Sequence, residues 1–152
     1  MRTGAVFATT AIALVSGLVI GQPQIERWQE ARIDSCEQRA ARLSQLDLLD
    51  RWPSTLQPVS PTAGCDSSDG IAPYAARRFN GIPDPGGVTA YYRTAVEQDG
   101  WTVAVGIPST ALLCASRDVD GTTAYLTVSA GTDSSVDLYI SDETQSGSQR
   151  CA

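Results

Sequence analysis

The chain has 152 residues, a formal net charge of −6 and no histidine, and all 11 of its basic residues are arginine. Without imidazole it lacks the commonest general base and the commonest metal ligand. Without lysine it has neither Schiff-base chemistry nor a phosphate-binding loop with its lysine. From residue 64 onward there are eleven acidic residues against five arginines. A surface of that sign repels phosphate backbones, which argues against nucleic acid as a partner.

Residues 5–20 form an uncharged, apolar run behind Arg2, and Gly21, Gln22 and Pro23 end it. Its length falls where a signal-peptide core and a short membrane-spanning helix overlap. Residues 1–21 are therefore read as a signal anchor or a signal peptide. The positive flank places the N-terminus inside and the rest of the chain outside. No cysteine lies near the junction, which disfavours a lipid anchor. The location that follows is the plasma membrane with an extracytoplasmic main domain, or secretion if the leader is cleaved.

Segment 22–50 is expected to hold a long amphipathic helix over residues 25–49, a stretch free of Gly and Pro. Ile33, Cys36, Ala40 and Leu43 recur as one stripe, extended by Leu46, with Arg32, Asp34, Arg39 and Arg42 largely off it. Trp28 lies close to the proposed membrane exit, where tryptophan is common. Segment 51–64 carries Pro53, Pro58 and Pro61 and reads as a connector, an ordered strap that buries Leu56 and Val59.

Residues 65–152 read as an α+β domain. A strand is expected over 71–79. Asp84-Pro85 opens a helix over 85–99, with Asp as the cap and Pro at the first helical position. Val88, Tyr91, Tyr92, Ala95 and Val96 give its apolar stripe, and Gly100 stops it. Residues 101–107 alternate as a strand. Residues 113–119 and 122–129 flank Asp120-Gly121, a two-residue hairpin turn. Pairing Val119 with Thr122 sets Arg117 opposite Ala124, Ala115 opposite Leu126 and Leu113 opposite Val128, so the apolar residues share a face. Val136, Leu138 and Ile140 continue the alternation, and a polar, loop-like tail is expected from residue 142 to Cys151. The fold class that results is α+β: an N-terminal membrane helix, a long amphipathic helix, then an antiparallel sheet with helix 85–99 on one face. Helix 25–49 is placed on the other face.

Cys36, Cys65, Cys114 and Cys151 lie too far apart for a zinc pattern and contain no CxxC. In an exported chain they read as disulfides that staple the domain. Three connectivities are open, with Cys65–Cys114 plus Cys36–Cys151 preferred. Each bridge closes a long loop and stabilises by about 3–5 kcal/mol.

The remaining chemistry is sparse. The cluster of residues 65–70 holds Asp66 and Asp69 and is read as a capped surface turn, since it lacks full calcium-loop spacing. Asp118 and Asp120 fit a hairpin turn better than a catalytic pair, and Asp142-Glu143 fits a solvated loop. Gly86-Gly87 has no basic neighbour to make an anion site. No serine has a base to activate it. No catalytic, cofactor-binding or metal-binding residue is assigned, and no cofactor is expected. Arg77, Arg78, Tyr92 and Arg93 form the candidate interaction surface, because Arg and Tyr are enriched in binding hot spots. Within each of the pairs Arg77-Arg78 and Tyr91-Tyr92, one residue is expected to face inward and one outward.

The stretch 89–101, TAYYRTAVEQDGW, together with Cys114 ahead of the Asp120-Gly121 turn, resembles a helix-to-strand segment of small exported or membrane-anchored α+β proteins of GC-rich bacteria. The resemblance spans residues 65–128 and implies a fold, with no catalytic residue. The expectation is a non-catalytic extracytoplasmic domain that contacts the membrane through residues 5–20. It would bind a protein or envelope component, or serve as accessory subunit of a membrane complex. The alternatives are a cleaved, secreted binding module or enzyme inhibitor, and a hydrolase using carboxylates alone.

Overall fold

The computed structural model describes residues 22–67, 71–81, 84–105 and 111–142. The chain divides into two compact units, residues 1–31 and 32–152. In the first unit, residues 22–31 are helical, and Trp28 is 73% exposed. The apolar run 5–20, and with it the expected membrane helix, lies outside the described residues. Among the described residues no helix is long and apolar enough to cross a membrane.

Helix α1 spans Gln22–Ser44, shorter at its end than the expected 25–49. Leu46 is extended, with φ −69° and ψ 123°, and a separate 3-10 turn follows at Asp47–Asp50. That turn buries Leu48 and Leu49, which do not fall on the helix stripe of Cys36, Ala40 and Leu43. Cys36, Ala40 and Leu43 are buried as the stripe requires, whereas Ile33 is 43% exposed. Arg39, expected off the stripe, is 7% exposed and part of it. The buried set Cys36, Arg39, Ala40 and Leu43 follows the spacing of one helix face.

The segment expected as a connector, 51–64, supplies β1 (Gln57–Pro58) and the start of β2 (Thr62–Asp66). Leu56 is buried there, while Val59 is exposed. β3 covers Ala72–Asn80, close to the expected 71–79. Helix α2 covers Pro85–Gln98. The Asp84 side chain accepts hydrogen bonds from the Gly86 and Gly87 amides at 3.2 and 3.1 Å. At the other end Gly100 has φ +75°. The Gly100 and Trp101 amides donate to Glu97 O and Val96 O, which satisfies carbonyls the last turn leaves open.

β4 is only Thr102–Val103, shorter than the expected 101–107; residues 106–110 lie outside the described set. β5 (Ala111–Val119), β6 (Thr122–Ala130) and β7 (Ser135–Asp142) complete the sheet. The β5–β6 register is the one the turn implies: Val119 with Thr122, Arg117 with Ala124, Ala115 with Leu126 and Leu113 with Val128. Asp120 and Gly121 both take positive φ, 55° and 80°, as the two central positions of such a turn demand. Asp142 ends β7 as a buried residue, so the polar tail does not begin there.

All the pairings are antiparallel, in the order β1-β3-β7-β6-β5-β4, with β2 also on β3. After β3 the chain crosses to the far edge through α2, then returns by three successive pairings to close on β3. The inward residues are Ala75 and Phe79, Val136, Leu138 and Ile140, Ala124, Leu126 and Val128, and Leu113 and Ala115. They form one core with Val88, Tyr92 and Val96 of α2 and with Leu43 of α1. The described part of α1 in the second unit therefore shares the face that α2 covers, and the expected placement on the opposite face is corrected.

Cys36 is bonded to Cys65, with Cα atoms 6.1 Å apart, which overturns the preferred pairing. The topology supplies the reason. Cys65 lies opposite Pro73 on β2, on the side where α1 packs. Cys114 lies on β5, four strand spacings away at about 4.8 Å each. Bridged cysteines need Cα atoms within about 7 Å. Cys114 also lies in a disulfide, and Cys151 falls outside the described residues.

Candidate functional site

The four residues singled out from the sequence do not form one surface. Tyr92 is fully buried and is corrected from surface to core: its hydroxyl donates to Arg51 O at 3.0 Å. Burial, with the neighbouring Tyr91 ring edge-on at 5.2 Å, holds that hydroxyl protonated well above the ordinary phenol range. Arg77 faces the core side of β3. It pairs with Asp50 at 2.7 Å and lies 5.5 Å over the Trp52 ring. Arg78 faces the other way, as the inward–outward reading expects, and Arg93 is exposed on α2. Asp66 ends β2, and residues 68–70 of its cluster lie outside the described residues. Among the described residues no group of three or more metal-ligating side chains comes together.

Two polar arrangements stand out, one on each face. On the core side, the Arg39 Nε and Nη2 both reach Asp142, at 2.9–3.2 Å. Arg39 Nη1 donates to Val119 O at 2.8 Å, and Nη2 to Thr122 O at 3.4 Å. Asp120 stands 3.7 Å from Arg39 and 3.5 Å from Arg42. The guanidinium thus ties α1 to the β5–β6 turn and to the end of β7. Its donors point at protein acceptors, so it serves as a clamp rather than as a group offered to a ligand.

The outer face is different in kind. Both helices pack on the core side, so its middle strands present their second set of side chains: Tyr74, Ala76 and Arg78 on β3, Asp137, Tyr139 and Ser141 on β7, and Tyr125, Thr127 and Ser129 on β6. The register aligns them in rows. Ser129, Asp137 and Arg78 make one row, and Thr127, Tyr139 and Ala76 the next. Arg78 grips Asp137 across the strands at 2.7 and 3.2 Å. Asp137, by hydrogen bond and by charge, raises the Arg78 pKa further above its already high value. The Tyr74 and Tyr139 rings stack at 5.6 Å, 12° from parallel.

A cleft of about 630 Å³ runs over these rows, within the usual size of small-ligand sites. Val59 and Ser60, between β1 and β2, and Thr62, the first residue of β2, form its rim. The Val59 amide donates to Arg78 O at 2.8 Å and fixes that rim to β3. Of the candidate residues, Arg78 alone turns its side chain into the cleft; Arg77 borders it through its backbone, its guanidinium lying on the core side. Asp137, Tyr139, Thr127 and Ser129 escaped notice, although each stands at a polar position of an alternating strand. No family model, curated protein or solved structure matches the chain.

Proposed function

We propose that this chain is a non-catalytic extracytoplasmic binding domain, held at the plasma membrane by residues 5–20, that contacts a protein or envelope component through the outer face of its sheet. The outer cleft is the observation that carries this reading. It combines a volume suited to a ligand with a few converging polar groups, Arg78, Asp137 and Ser129, on rigid strands. The apolar run behind Arg2 and the resemblance of residues 89–101 to exported proteins support the location. A chain without histidine or lysine favours binding over acid–base or nucleophilic catalysis.

The test has two arms. Membrane fractionation with intact-mass measurement reads the leader: the full-length mass in the membrane fraction supports the anchor, and a chain beginning near residue 22 in the medium makes it a secreted binding module instead. Affinity purification of the full chain from membranes, wild type against an Arg78→Ala/Asp137→Ala double variant, reads the face. Loss of the co-purifying component from the variant alone supports the outer face, and its retention by both excludes it.

A further inference from the structure

Cys114 is 0% exposed, yet it stands on the face of the sheet that neither helix covers. Its neighbours Leu113 and Ala115 point into the core, so Cys114 points out, in register with Thr127 and, through it, with Tyr139 on β7. Complete burial on that face needs a cover. Thr127 and Tyr139 in the same row each hold a partner already, Tyr139 beyond the Tyr74 ring, and so does Tyr125 in the next row. The β5–β6 side of the outer face is therefore engaged within the chain itself, and a foreign ligand would have to displace those contacts.

The cysteines identify the cover. Cys114 is disulfide-bonded, Cys36 and Cys65 are bonded to each other, and the chain has four cysteines. Cys151 is the one left to pair with Cys114. It lies nine positions past Asp142, where β7 ends, a reach of up to about 30 Å. From Asp142 to Cys114 is two strand spacings across and three residues along, roughly 14 Å, so the length is ample. The direct route leads over β6, and a bond to the outward Cys114 brings its end to the outer side. Residues 143–150, ETQSGSQR, hold no apolar side chain and suit a surface of Thr, Ser and Tyr hydroxyls. We propose that residues 143–151 form a strap across the outer face, closed by a Cys114–Cys151 disulfide. This deepens the binding reading and rests on it for one consequence: the strap takes the rows of Tyr125 and Thr127 and leaves the row of Ser129, Asp137 and Arg78 to the partner.

The test uses the full-length oxidised chain. In a non-reducing tryptic digest the peptide that begins at residue 151 is joined to peptide 94–117, and reduction separates them. A free Cys114 thiol, or a link from Cys114 to another peptide, overturns the proposal. A photo-reactive phenylalanine analogue then replaces Tyr125, and the adducts are mapped by mass spectrometry. The strap predicts an internal adduct to residues 143–150. Adducts confined to other residues or to other molecules, or no adduct, overturn it. The binding reading fails separately. If position 125 gives the internal adduct while the same analogue at Ser129 captures no envelope component, the strap stands and the binding face falls. If position 129 captures a component and position 125 gives no adduct to residues 143–150, the strap falls and the binding face stands.

Discussion

Arg39 in α1 and Asp142 at the end of β7 stand 103 positions apart and share a buried, two-pronged ion pair. Their exposures are 7% and 6%. Around the pair, Arg39 also satisfies two backbone carbonyls next to the β5–β6 turn, so one side chain joins a helix, a hairpin and the last strand. Removing one partner strands a buried charge, which costs about 3–5 kcal/mol, whereas replacing both with apolar residues of similar volume is often neutral. Arg39→Ala and Asp142→Ala should each lower unfolding free energy by about that amount in urea titrations. Arg39→Met with Asp142→Leu should recover most of it. Equal loss in the double variant would show that the pair is net stabilising as it stands.

The Cys36–Cys65 bridge joins positions 29 apart and holds α1 to β2. In the chain-entropy picture a loop of that length is worth about 3–4 kcal/mol. The Cys36→Ser/Cys65→Ser variant should melt at a correspondingly lower temperature and still show the native circular dichroism spectrum below its transition. A melt unchanged from wild type would remove the bridge from the account.

Tyr92 sets an alkaline limit. Its folded-state pKa is raised, chiefly by burial, above the unfolded value near 10. Its contribution is fully present below pH 10. Above that pH the unfolded chain releases a proton that the folded chain keeps, so stability falls as pH rises. Tyr92→Phe should cost about 1 kcal/mol at pH 7 through the hydrogen bond lost to Arg51 O, and should flatten the decline above pH 10. Denaturant midpoints between pH 7 and 11 check both effects.

Gly121 tests the turn in isolation from packing. Its φ is +80°, and a Cβ placed there meets no atom within 4 Å. Any cost of Gly121→Ala is therefore conformational, about 1–2 kcal/mol. A neutral result in urea unfolding would mean that the hairpin tolerates another turn.

Local patterns carry some of this architecture and not the rest. The β5–β6 register is legible because a two-residue Asp-Gly turn leaves one pairing that puts Leu113, Ala115, Leu126 and Val128 on one face. The α2 boundaries are legible because Asp84, Pro85 and Gly100 each have a mechanical role at a helix end. Arg39 and Asp142 are harder, because charged residues are assigned to solvent by default. Yet Asp142 continues the alternation of Val136, Leu138 and Ile140, and Arg39 lies three and four positions from Cys36 and Leu43. The outer cleft depends on β3 pairing with β7 across some sixty residues, which brings Arg78 to Asp137. No local periodicity encodes which distant strand becomes a neighbour. The disulfide follows from the same pairing choices, since β2 on β3 puts Cys65 beneath α1.

The binding-face account is tested most directly by site-specific photo-crosslinking of the full-length chain in intact cells. A photo-reactive residue replaces Ser129, in the outer cleft, or Arg93, exposed on α2 at the opposite side of the sheet. The account predicts an adduct with an envelope component from position 129 and none from position 93. An adduct from position 93 alone, or equal yields from both positions, would contradict it.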